Sequence, residues 1–131
     1  MRGFKLILFE NEHYKIISEY EVVTLVNKVN ENHTIIGDFY GDPAAAIISD
    51  DCKFCVVVGC GVIIYYIMPP FADYSYKTKN TQWLEFMRDG DLWFDSVIQT
   101  DSAHILVCGE NDLTLQINVY SGELETVKKN L

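Results

Sequence analysis

Hydrophobic and polar positions alternate with a period close to two along most of the chain. The clearest stretch is residues 113–120, where Leu113, Leu115, Ile117 and Val119 fall on one face. Successive side chains of a strand point to opposite sides, so this run predicts a half-buried strand. Similar runs predict strands at 5–9, 34–39, 44–49, 54–58, 62–68, 93–99 and 104–108. Residues 13–26 read as one longer strand-like segment. The breaks carry turn chemistry: Glu10-Asn11-Glu12, an Asn-rich loop at 27–32, Gly41-Asp42-Pro43, 50–53, Gly59-Cys60-Gly61, 100–103, 109–112 and Ser121-Gly122. Gly reaches positive φ, Asn and Asp bond nearby backbone, and Pro fixes φ. Residues 71–81 are polar and Tyr-containing, and predict an exposed loop. For residues 82–88 the reading is a short helix, capped by Asn80 or Thr81 and ended by Gly90. Trp83, Glu85 and Met87 would also alternate in a strand.

These elements predict a mainly β fold, with α+β as the alternative. The expected architecture is a meander of antiparallel hairpins forming a β-sandwich or curled sheet, with at most one or two short helices. A length of 131 residues suits a single domain spanning 1–131. One internal repeat stands out: Ile48-Ser49-Asp50-Asp51 and the run ending at Gly59 match Ile98-Gln99-Thr100-Asp101 and the run ending at Gly109, offset by 50. A period near 50 invites comparison with propeller blades, but two copies cannot close a propeller of roughly four or more. The expectation is two similar hairpin units facing each other across one core.

Residues 54–71 carry no charge, and the run is long enough to raise a membrane span. Its Gly59, Gly61, Pro69 and Pro70, with its Val, Ile and Tyr content, instead predict two buried strands around a turn. No membrane segment or secretion signal is expected, which places the protein in the cytoplasm. In that reducing compartment Cys52, Cys55, Cys60 and Cys108 are expected to be free thiols. A Cys52-x-x-Cys55 pair with Cys60 offers one knuckle of a zinc site where two are usual, so no metal and no cofactor are expected.

Nineteen acidic against ten basic side chains give a net charge of −9. That argues against nucleic acid, whose phosphates need Lys and Arg, and favours a basic partner. Catalysis finds little support. His13, His33 and His104 stand beside no readable nucleophile, although a pairing of His104 with Cys55 or Cys108 is open. Most aspartates fall in turns, where they cap local backbone. No phosphate-binding Gly loop or nucleophile elbow is present in the sequence. Aromatics cluster in the middle of the chain, and Tyr and Trp are enriched at binding hot spots. The candidate partner-binding residues are therefore Asp73, Tyr74, Tyr76, Asp89 and Asp91: aromatic anchors with an acidic rim on the predicted loop and the turn beyond it.

The segment GDPAAAIISDDCKFCVVVGCG, followed by WFDSVIQTDSAHILVCGENDLTLQINVYSGELE, resembles immunity proteins of bacterial contact-dependent growth inhibition and related toxin systems. The resemblance lies in general character and strand rhythm over the last two-thirds of the chain. It implies a small, acidic, cytosolic, non-enzymatic protein that binds a cognate toxin domain, often a basic nuclease. It transfers no functional residue. The alternative is a small-ligand-binding or structural β-module, with the two hairpin units enclosing an apolar pocket.

Overall fold

Turn chemistry recurs at one place in the pattern. Asn11 Oδ1 accepts from the His13 N–H (2.9 Å), Asp51 Oδ1 from Lys53 (3.1 Å), and Asp101 Oδ1 from Ala103 (2.8 Å). Each is an Asx turn that reverses the chain between two strands. In the computed structural model, which describes residues 5–89 and 92–127, these three turns open three successive four-stranded antiparallel sheets. The first contains β1 (Lys5–Glu10), β2 (Tyr14–Glu19), β3 (Val22–Asn27) and β4 (His33–Asp38). The middle sheet contains β5 (Ala45–Ile48), β6 (Phe54–Gly59), β7 (Gly61–Tyr66) and β8 (Trp83–Phe86). The third contains β9 (Phe94–Gln99), β10 (His104–Gly109), β11 (Thr114–Asn118) and β12 (Leu124–Thr126). A 3-10 turn at Glu110–Asp112 is the helical element among the described residues, and the fold is mainly β.

Each sheet is a meander in chain order, and the sheets stack face to face in sequence. The first strands lie nearest one another: β1 touches β5, and β5 touches β9. This is the local arrangement of propeller blades. The repeat thus has three copies, where the sequence showed two. The matched segments are the first hairpins of the middle and third sheets. Their offset holds for β6 against β10. The Asp50–Lys53 turn, however, is one residue longer than its counterpart: the Ser49 N–H donates to Phe54, but the Thr100 N–H to His104. Ile98 therefore corresponds to Ile47, and the apparent partner Ile48 faces the other way.

The middle sheet buries both faces. Ile48, Cys55, Val57, Ile63, Tyr65 and Trp83 pack toward the first sheet, against Ile16, Val23, Leu25 and Ile36. Phe54, Val56, Val58, Val62 and Ile64 pack toward the third, against Val97, Ile105, Val107, Leu115 and Ile117. A strand covered on both sides reads as an unbroken apolar run, which accounts for the uncharged segment. Among the described residues no helix is long and apolar enough to cross a membrane.

Two sequence expectations are corrected. Residues 82–88 hold strand β8 in place of a helix. The free edge of β7 pairs with it, Val62 opposite Phe86 and Tyr65 opposite Trp83. Strand alternation then sends Trp83 into one core and Leu84 and Phe86 into the other, which a helix of that length could not do. Residues 13–26 are two strands, reversed at Tyr20-Glu21 with Tyr20 at φ 56°. That turn carries no Gly, Pro or Asn; the Phe39 N–H donates to its Glu21 carbonyl (2.9 Å) and the Gly41 N–H to Glu21 Oε2 (2.8 Å).

Candidate binding cleft

The middle sheet differs from its neighbours in one connection. Where β3–β4 and β11–β12 are joined by short turns, β7 and β8 are joined by residues 67–82. Gln82, buried at the base, clamps this loop. Its Nε2 donates to the carbonyls of Tyr66 (2.7 Å) and Met68 (2.8 Å), and its Oε1 accepts from the Ala72 N–H (3.1 Å). The Tyr65 hydroxyl donates to the Ala72 carbonyl. The loop then crosses to the first sheet. Asp73 Oδ1 accepts from the Ile35 N–H (3.0 Å), and the Tyr74 N–H donates to the Ile35 carbonyl (2.8 Å), so the loop covers the edge of β4.

Beyond that crossing lies a cleft of about 420 Å³ between the first and middle sheets. Arg88 forms its floor. The guanidinium sits 4.6 Å from the Phe39 ring centroid and 5.6 Å from that of Tyr76, an arrangement in which ring quadrupoles attract the cation. Its Nη2 donates to the Asp38 carbonyl (2.6 Å), and its Nη1 lies 3.4 Å from Glu85 Oε1. That last contact has ion-pair distance without hydrogen-bond alignment. Glu85 Oε1 also accepts from the Tyr74 hydroxyl (2.6 Å). Burial, and then this bond to a carboxylate, push the Tyr74 hydroxyl pKa well above the usual tyrosine value. The side chain of Arg88 is only 12% exposed, so these partners hold a charge that water barely reaches.

The rim is acidic and aromatic. Glu21, Asp38 and Asp89 line it together with Tyr40, Tyr76 and Cys60. Tyr40 is 84% exposed and Tyr76 49%. Glu21 comes from the β2–β3 turn, and its Oε2 accepts from the Gly41 N–H (2.8 Å), tying that turn to the segment bearing Tyr40. Cys60 is the tip of the β6–β7 hairpin. Gly61 beside it has φ +102°, and a Cβ there would stand 2.7 Å from the Met87 carbonyl oxygen and 2.5 Å from Arg88 Cδ. Only glycine lets the hairpin approach Arg88 so closely.

Of the five residues chosen from sequence, Tyr76 and Asp89 line this cleft. Asp73 is engaged with β4. Tyr74 is 5% exposed, packed on Trp83 at 5.0 Å between centroids, and offers little surface; the expectation that it stands exposed on the loop is corrected. Asp91 lies outside the described residues. Sequence reasoning passed over Arg88, Glu21, Asp38 and Tyr40, which come from the β2–β3 turn, the end of β4 with the residues after it, and the segment after β8. The one usable signal was Arg88 itself, one of two arginines in an acidic chain and set among aromatics.

The other reactive groups are dispersed. Cys55 is fully buried in the middle sheet, and burial pushes its thiol far above the usual range. His104 lies on the opposite side of the third sheet, where its Nδ1 stands 2.9 Å from Asp101 Oδ1. The Ala103 N–H and then His104 hold the Asp101 carboxyl below its ordinary value. The four cysteines are free, and among the described residues no three His, Cys, Asp or Glu side chains converge as metal ligands. No protein-family model matches the chain, and no curated protein matches it in sequence.

Proposed function

We propose that the protein is a non-enzymatic binding protein of the immunity type, which neutralises a basic toxin domain by seating it on the cleft beside Arg88. One observation carries the reading: carboxylates of Glu21, Asp38 and Asp89 rim a concave surface that also presents Tyr40 and Tyr76. Exposed tyrosines supply large contact area with a polar tip, and an acidic rim steers a cationic partner toward them. Arg88 fixes the floor, because its cation lies against both the Phe39 and Tyr76 rings and its Nη2 ties the segment after β8 to the end of β4. The net charge of −9 acts in the same direction at longer range, raising the association rate with a basic surface.

The test is co-purification from the native host with the neighbouring gene co-expressed, followed by titration of the captured partner against variants. A stoichiometric basic toxin domain is expected. Tyr40→Ala and the Asp38→Lys, Asp89→Lys pair should each weaken it by about tenfold or more, the charge variant mainly through slower association at low salt. A partner bound with unchanged affinity by both variants would remove the cleft from the reading.

A further inference from the structure

The two ends of the sheet stack are open. We propose that they bind each other between two copies of the chain, so that a head-to-tail dimer closes a ring of six sheets. This rests on surfaces away from the Arg88 cleft.

The pairing registers show why the end faces suit one another. Ile16, Val56 and Leu106 occupy one equivalent position in the second strand of each sheet; Ile17, Val57 and Val107 occupy the next. Between the first and middle sheets, Ile16 meets the face bearing Val57; between the middle and third, Val56 meets the face bearing Val107. All four are buried to 1% exposure or less. The same relation, continued once more, sets Leu106 of one copy against Ile17 of another. Both are half-exposed in the single chain.

Each end face carries a row at that level that is apolar on its first two strands. On the first sheet it runs Ile7, Ile17, Thr24, Ile35 across the strands, with Ile7 57% exposed. On the third it runs Ile98, Leu106, Gln116, Glu125, with Ile98 also 57% exposed. The depression on the outer first sheet is lined by Lys5, Lys15 and Lys28, but Glu10 pairs with Lys28 at 2.7 Å, Glu19 lies opposite Lys5 and Glu31 adds a third carboxylate, so that face is close to balanced in charge. The depression on the outer third sheet is lined by Glu123 and Glu125 with no lysine or arginine. Two different end faces on one molecule make a heterologous contact between copies, which closes into a ring when the rotation allows.

Size favours closure. Four strands about 4.8 Å apart and roughly 20 Å long present about 350 Å² of flat face. Two such faces per copy give roughly 700 Å² per partner, near the ~800 Å² of a stable interface, whereas one contact falls well short. Six sheets also lie within the range of roughly four to eight that propellers use.

The experiment is sedimentation equilibrium of the full chain over a wide concentration range, at low and moderate salt. A dimer of the 15.0 kDa chain is expected. Ile7→Asp, at an exposed position on the outer first sheet, should weaken dimerisation by about tenfold or more. Ile98→Asp, at an exposed position that leaves the core intact, should give a folded monomer by circular dichroism. A wild-type chain that stays monomeric at all concentrations overturns the proposal. So does growth into open polymers, or a dimer indifferent to both Ile7→Asp and Ile98→Asp, or a different host protein found covering Ile7 and Ile98.

Discussion

The middle sheet and its two flanking sheets have the same strands, order and opening turn, yet their sequences look unlike. β6 is buried at all six positions, while β10, its counterpart in the third sheet, alternates between buried and half-exposed. The difference is the number of faces covered. A strand between two layers must be apolar throughout; a strand at the end of a stack need be apolar on every second residue. Hydrophobic pattern therefore reports a strand's place in the stack as well as its conformation.

The sharpest way to break that contrast is to remove volume from each place in turn. Phe54 is fully buried in the middle sheet and meets Tyr120 edge-on at 6.0 Å. Phe54→Ala should cost about 3–5 kcal/mol, because the transfer and cavity terms both apply. Leu124, 40% exposed at the edge of the third sheet, should cost less than about 1 kcal/mol when cut to Ala. Urea midpoints at constant slope would measure both. Similar losses at the two sites would mean that the middle sheet is not the shared core of the stack.

The next contrast is the long connection that only the middle sheet carries. Gln82→Ala removes three hydrogen bonds at its base and leaves the Tyr66 and Met68 carbonyls and the Ala72 N–H without that partner. A loss of about 2–4 kcal/mol is expected, at about 1–3 kcal/mol for each buried group left unsatisfied and partly relieved by water. Amide exchange at Ala72 and Tyr74 should quicken far more than at Val107. Uniform quickening would show that the loop opens only with global unfolding.

How much of this was readable depends on whether the cause was local. The Asx turns at Asn11, Asp51 and Asp101 and the alternation of Leu113 to Val119 are local causes, and the hairpins they specify are present. The turn at Tyr20-Glu21 was missed because it carries no turn residue, and strand β8 was misread because pairing with β7 decides it. The β7 edge recruits Trp83–Phe86 despite Asn80 in a helix-capping position, and Asn80 instead caps the Gln82 N–H at 2.9 Å. The cleft was half legible for the same reason. Tyr76 and Asp89 flank one sequence region, but Glu21, Asp38 and Tyr40 reach them only through the stacking of two sheets. The third copy of the repeat was hidden because its Asx turn uses Asn in place of Asp and its offset from the second is 40, not 50.

Thiol chemistry sharpens the comparison without perturbing the fold. Cys55 and Cys60 belong to the middle sheet and are buried; Cys52 and Cys108 are partly exposed. Alkylation of the native protein, followed by mass spectrometry, should modify Cys52 and Cys108 first, while Cys55 reacts only on unfolding. For Cys55 the block is double: the thiol is inaccessible, and burial suppresses the reactive thiolate. Rapid native labelling of Cys55 would show that the first and middle sheets separate readily.

The smallest effect distinguishes the three opening turns by charge. Asp51 lies below its ordinary value of 3.8 because the Ser49 hydroxyl donates to it at 2.7 Å, with further help from the Lys53 N–H and the Lys53 charge. Asp101 lies below the same value, chiefly through the Ala103 N–H and His104. A carboxyl depressed in the folded state binds its proton more readily when unfolded. It therefore stabilises the fold above pH 3.8, and the contribution is lost as pH falls through the lower folded value. Both groups are exposed, so the effect on global stability should be slight. Asn11 occupies the equivalent turn of the first sheet and carries no charge. Acidification should then weaken protection of the turn amides at Lys53 and Ala103 while leaving His13 unchanged. Asp51→Asn keeps an oxygen acceptor for Lys53, so it should cost about 0.5 kcal/mol or less at neutral pH and remove the acid response from the middle sheet's turn alone. If the Lys53 amide still loses protection in acid in that variant, the response comes from elsewhere in the stack, and the three turns are not independent.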